Sequence, residues 1–192
     1  MYECITTIDS RIPRIAVFEK VSFDEFKKDW IKTVIEPENR DITEGDLKTI
    51  REIYDNIKLP QRATVGSAGY DFFAPTDFQI ACDDSINIPT GIRCKISDGW
   101  VLTAYPRSGH GFKFGIRLAN SVGVIDSDYY FANNEGHIFV KLVNESVLGW
   151  RKEFKVNQGD AMCQGIFLPF GITENDEAEG QRTGGFGSTD KK

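Results

Sequence analysis

GHIFVKLVN, residues 136–144, decides the fold. Ile138, Val140 and Leu142 alternate with other residues, so they fall on one face of an extended segment with Lys141 on the other. That is a half-buried strand. Similar runs lie on both sides: SINIPTGIRCKI (85–96), GWVLTAYP (99–106) and AMCQGIFLP (161–169), separated by Gly, Pro, Asp and Asn. Many short strands with frequent turns predict a sandwich, jelly roll or barrel over 59–172. No internal repeat is evident.

Upstream the period changes. IPRIAVFEKV (12–21) reads as a first strand. Ser22 and Glu25 then have the spacing of a capping box, and Phe23, Phe26, Trp30 and Val34 recur at helical spacing. After the PENRD break, Thr43 opens a second helix with Leu47, Ile50, Tyr54 and Ile57 as its apolar stripe. Residues 22–57 therefore predict a helical hairpin, whose stripe reads first as core or subunit packing. Downstream, 173–192 loses its apolar content and becomes Gly-rich, the composition of a flexible arm.

The chain has 192 residues, 40% hydrophobic and 27% charged, which predicts one domain with a sizeable core. Its 23 basic and 29 acidic residues give a net charge of −6, which argues against a nucleic-acid partner but not against a small anion held locally. No apolar run is long enough to span a bilayer, so no membrane partner is expected. MYECITTIDSR at the N-terminus has no apolar signal core, so a cytoplasmic setting is expected. Cys4, Cys82, Cys94 and Cys163 have no metal-ligand spacing and read as reduced thiols, and the histidines are His110 and His137.

Five stretches carry chemistry. GSAGYDFFAP (66–75) puts Asp71 at a strand start behind small residues. PRSGHGF (106–112) puts Arg107, Ser108 and Gly109 where a strand ends, which reads either as an anion-contacting exit or as an ordinary β-turn. GVIDSDYY (123–130) puts Asp126 and Asp128 on one face if the segment is extended. Val124 and Ile125 would partly bury Asp126, which suits a general base holding one water; a solvated Asp-Ser-Asp turn is the alternative. NQGDAMCQG (157–165) is a turn feeding a strand that carries Gln164. RTGGFGSTD (182–190) combines a cation, free backbone amides, two hydroxyls and an aromatic that can stack on a base, or it is an inert tail.

In this order the five stretches resemble the motifs of the trimeric, all-β dUTP diphosphatase (dUTPase) family: AGYD (68–71), PRSG (106–109), GVIDSDY (123–129), GDAMCQ (159–164) and GGFGST (184–189). The resemblance covers 59–190, with 12–21 as the first strand. It implies an all-β jelly roll with a C-terminal arm, and the helical hairpin at 22–57 reads as an insertion between its first strand and its first motif. It implies hydrolysis of dUTP to dUMP and pyrophosphate with Mg²⁺ by a homotrimer whose sites are shared between subunits. By the same resemblance Asp126 is the base that orients the attacking water, aided by Gln164, and Tyr129 packs against the deoxyribose. Asn120, with the backbone of Val124 and Ile125, reads the uracil. Arg107, Ser108 and Gly109 contact phosphates. Arg182, Ser188 and Thr189 bind the terminal phosphates, while Phe186 with Gly187 covers the base. Asp71 supports the hydrated metal through water.

Three features depart from the family pattern. The exit of the third motif, DYYFANNEGH (128–137), is longer, so that Tyr130 and Phe131 pack on another subunit or rim the pocket. Arg182 sits closer to Phe186 than in many members, and the hairpin 22–57 is additional. A dCTP deaminase would share the fold, but Lys141 stands where its catalytic glutamate would be. A regulatory protein that binds a protein partner through 22–57, with Phe26 and Trp30 at its surface, is the other alternative.

Overall fold

The computed structural model describes residues 12–145, 152–180, 182 and 184. It starts with β1 (Ala16–Lys20), α1 (Phe23–Trp30), a π turn (Ile31–Ile35), a 3-10 turn (Glu36–Glu38) and α2 (Glu44–Asp55). Then come β2 (Gln61–Arg62), β3 (Tyr70–Phe73), β4 (Phe78–Ile80), β5 (Asp84–Pro89), β6 (Ile92–Ile96) and β7 (Trp100–Pro106). These are followed by α3 (Ser108–Phe114), β8 (Ile116–Leu118), β9 (Gly123–Ile125), a 3-10 turn (Ser127–Phe131), β10 (Phe139–Asn144), β11 (Phe154–Val156) and β12 (Ala161–Pro169).

The largest sheet has the order β2-β3-β12-β7-β9, with β12 at its centre. β10 lies between β5 and β8, while β1 pairs with β6 and β4 with β11. Every pairing among the described residues is antiparallel. This is the expected mostly antiparallel, jelly-roll-like architecture. Ile138, Val140 and Leu142 are buried and Lys141 is exposed, as their alternation requires. Leu102, Met162, Phe72 and Leu142 have almost no exposure. Each such side chain contributes about 1.5–3 kcal/mol by leaving water. The hydroxyl of buried Thr103 donates to the Ile166 carbonyl at 2.9 Å, which offsets its desolvation.

Several expectations change in detail. The strand expected over 12–21 pairs only from Ala16 to Lys20, because Pro13 has no N–H to extend the ladder. Both predicted helices form, but the buried stripe of α2 and its exit is Ile50, Ile53 and Ile57, while Leu47 is exposed. Phe26 and Trp30 are buried in the chain's own core, so neither offers a surface to a protein partner. The capping box at Ser22 is only half made. Its hydroxyl accepts from the Glu25 N–H at 3.2 Å, but the Glu25 carboxylate pairs with Lys28 at 2.8 Å. Glu135, from the loop before β10, receives the Ser22 N–H instead, at 2.7 Å. Thr43 and Asp46 make the complete box at the start of α2.

Candidate active site

The first group of predicted residues lies at one end of the large sheet. Register puts Gln164 on β12 opposite Asp71 on β3 and opposite Tyr105 on β7. β7 ends at Pro106, whose carbonyl accepts from Gln164 Nε2 at 3.4 Å. The chain then turns through Arg107, whose Nε lies 3.4 Å from Asp71 Oδ1. Ser108 and Gly109 do not form the ordinary β-turn that was the alternative reading; they start α3, with Arg107 at its N-cap position. In that first turn the helix supplies no carbonyl for the Ser108 and Gly109 amides. Gly69 is needed for close approach: a Cβ there would sit 2.7 Å from Gln164 Oε1. Beside Gln164, burial pushes the Cys163 thiol up to about 12, so it is no nucleophile near neutral pH. Burial also pushes the His110 imidazole down, with Arg107 adding to the effect.

The second group lies on β9 and beyond. The sequence predicted an extended run that aims Asp126 and Asp128 to one face. The strand instead ends at Ile125, and a 3-10 turn begins at Ser127. The carboxylates still converge, because one guanidinium spans both. Arg182 Nη2 lies 2.5 Å from Asp126 Oδ2, and its Nε lies 2.9 Å from Asp128 Oδ1. The same guanidinium stands 5.8 Å from the Tyr129 ring centroid. Asp126 is half-buried, Ile125 is buried and Val124 is exposed. Asn120 is exposed in the turn before β9. Tyr130 does not reach outward: its hydroxyl donates to Glu19 at 2.7 Å and Arg93 covers its ring, while Phe131 is exposed. Phe186, Gly187, Ser188 and Thr189 lie outside the described residues.

One chain does not bring the two groups together. Ile125 faces Leu102 on β7, whereas Gln164 faces Tyr105. Asp126 is one residue further from Gln164 again, so the two are offset by about 13 Å along the strands and about 10 Å across them. Asp126 and Gln164 of one chain therefore cannot serve the same water.

The dUTPase family model matches residues 55–190. A deoxyuridine 5'-triphosphate nucleotidohydrolase of Lactococcus lactis subsp. lactis is 42% identical over 136 residues, covering 69% of this chain and 88% of the relative. The chain belongs to the dUTPase family. A nucleotidohydrolase of the same description from Actinobacillus succinogenes is 41% identical over 142 residues, covering 70% of this chain and 88% of its own. The dUTPase structure from Streptococcus mutans superposes with a TM-score of 0.55 at 37% identity, covering 63% of this chain and 91% of that one. A point mutant of the dUTPase from phage phi11 of S. aureus, described with a structural Mg(II) ion, shares the fold at TM-score 0.54 and 20% identity, covering 66% and 92%. All the candidate site residues fall within the dUTPase match; α1 precedes it.

Sequence reading missed Asp29, Asn134, Glu135 and His137. His137 is fully buried and bonded to Asp29, 108 positions away. No local spacing announces such a pair.

Proposed function

We propose that this chain hydrolyses dUTP to dUMP and pyrophosphate as a homotrimer with Mg²⁺, in the cytoplasm. The observation that carries the reading is the meeting of the third and fifth motifs at Asp126, Asp128, Tyr129 and Arg182. The arm's cation reaches the carboxylate assigned as base. Assembly answers the separation within one chain: Gln164, Arg107 and Asp71 of one subunit complete the site with Asp126 and Tyr129 of another. Cys82, Cys94 and Cys163 are free thiols, in keeping with a reducing compartment.

Asp126 holds a water and takes its proton as the water oxygen bonds to the α-phosphorus. The bond from that phosphorus to the bridging oxygen breaks, and pyrophosphate leaves. Gln164 helps to hold the water. Asn120, with the backbone of Val124 and Ile125, reads the uracil, and the Tyr129 ring lies against the deoxyribose where a 2′-hydroxyl would clash. Arg107, Ser108 and Gly109 hold phosphate oxygens, and Arg182, Ser188 and Thr189 hold the terminal phosphates, with Phe186 and Gly187 over the base. Substrate phosphates compete with Asp126 and Asp128 for Arg182, which frees the base as the arm closes.

The donor set fits a hydrated Mg²⁺. Asp71 is a single carboxylate beside Gln164 and Arg107, suited to accept hydrogen bonds from metal-bound water rather than to cage the ion. When bound, Mg²⁺ supplies charge neutralisation for a triphosphate carrying about four negative charges. A nucleotide panel with Mg²⁺, scored by pyrophosphate release, tests the reading. Selective turnover of dUTP is expected. No release, or equal release from UTP and dCTP, refutes it.

A further inference from the structure

Tyr129 is held from behind. Its hydroxyl donates to the His137 carbonyl at 2.7 Å and accepts from Asn134 Nδ2 at 2.9 Å. The His137 ring is itself fixed. Its Nε2 accepts the Gly91 N–H at 2.8 Å, so the proton sits on Nδ1 and is donated to Asp29 Oδ2 at 2.6 Å. Asp29 belongs to α1. The same helix grips the loop a second time at its start, where the Ser22 N–H and hydroxyl donate to the two Glu135 oxygens, each at 2.7 Å. Between the grips, Gly136 has φ +70°, and a Cβ there would meet the Tyr129 carbonyl oxygen at 2.7 Å. The loop therefore lies directly on the tyrosine's backbone. Burial raises the Tyr129 phenol, which keeps its proton available for the bond to His137.

The geometry points to Asp29 and Asn134 as positioning residues that hold Tyr129 against the sugar and so set the discrimination between deoxyribose and ribose. The clasp joins α1, which lies before the dUTPase match, to the 134–137 loop inside it. A ring that rejects a single added hydroxyl by contact must not yield, and rigidity of this kind comes from the groups that support the contact. Tyr129 is tied at its hydroxyl and at its backbone, and both ties lead to α1 directly or through His137. This inference rests on the reading of Tyr129 as the sugar-facing residue.

The test compares kcat/KM for dUTP and UTP in the full-length protein. Asp29→Ala leaves the His137 Nδ1–H without its acceptor. Asn134→Ala removes a donor from the Tyr129 hydroxyl and lies on a loop outside the helical core. Each is expected to lower the dUTP/UTP ratio about fivefold or more, the effect of roughly one lost hydrogen bond. The loss appears as a raised KM for dUTP with kcat largely kept, together with improved turnover of UTP. Asp29→Asn, whose side-chain carbonyl can still accept the Nδ1–H, is expected to restore the ratio. A lowered melting temperature with an unchanged ratio in Asp29→Ala and Asn134→Ala overturns the inference, since a merely structural brace behaves that way. If Asp29→Ala does not fold, Asn134→Ala decides by the same criterion. Tyr129→Ala separates the two levels. If it keeps the ratio, the sugar-facing role of Tyr129 fails. If it loses the ratio while the two bracing variants keep theirs, only the positioning role fails.

Discussion

Replacing Asp126 by Asn removes a charge and a base while keeping the side chain's size. The structure indicates how the effect divides between stability and catalysis. The Asp126 side chain is 47% exposed, and its bond to Arg182 is made at the surface of the site. A pair that exposed contributes no more than about 1 kcal/mol to folding. An amide oxygen can keep part of the contact, so the melting temperature is expected to move little. Catalysis has no such reserve. Within the same chain Asp128, the other carboxylate on Arg182, sits in the 3-10 turn rather than at the end of β9. Loss of a positioned general base costs about 10²–10⁴ in rate. At 1.36 kcal/mol per factor of ten, that is about 3–5 kcal/mol of barrier. The assay is continuous pyrophosphate release at saturating dUTP, with binding of a non-hydrolysable dUTP analogue measured in parallel. Binding is expected to stay near the parent value. Turnover within a few-fold of the parent would refute the assignment of Asp126 as base, and loss of binding in step with loss of rate would make it a ligand contact instead.

Three other outcomes follow from the geometry. Gly69→Ala puts a methyl 2.7 Å from Gln164 Oε1, the movable end of a flexible side chain, so it should lower kcat by an order of magnitude or so while shifting the melting temperature little; unchanged kcat would show that Gln164 does not need that position. Truncation after residue 181 removes Arg182 and the motif that follows, and should abolish most dUTP turnover while thermal unfolding of the remainder stays close to the parent's; a large loss of stability would show that the arm belongs to the core. Phe26→Ala removes a fully buried ring from α1 and should cost about 3–5 kcal/mol in denaturant unfolding; a cost below about 1 kcal/mol would mean that α1 is not integral to the core.

Strand content was legible in the sequence because period-2 alternation is a local signal. Ile138, Val140 and Leu142 are buried as that alternation requires. Helix existence was legible for the same reason, but the details settled by contact were not. Ser22 and Glu25 have the spacing of a capping box, yet Glu135, 113 positions away, supplies the carboxylate. In α2 the stripe could be drawn through Leu47 or Ile53 at helical spacing, and only tertiary packing selects Ile53, which is buried while Leu47 is exposed. The site motifs were legible as short strings, and strand register places Asp71 of the first opposite Gln164 of the fourth. The clasp of Asp29, His137 and Asn134 was not, because Asp29 lies 108 positions from His137 and none of the three has a distinctive neighbour pattern.

The arrangement of charge explains how an acidic chain can hold an anionic substrate. The two cations assigned to phosphate are each matched to carboxylates within their own group: Arg107 to Asp71, and Arg182 to Asp126 and Asp128. Neither guanidinium is a free positive patch, in line with a net charge of −6. On the roles proposed above, a triphosphate displaces carboxylates to reach them, and its binding energy also frees Asp126 to act as base. Because the two groups lie apart within one chain, a monomer can offer only one of these cations to a given nucleotide. Subunit contact, by this reasoning, is what brings both to one triphosphate. A sedimentation measurement showing an active monomer would contradict the scheme at its root, since the displacement of Arg182 from Asp126 would then proceed without Gln164 or Arg107 within reach.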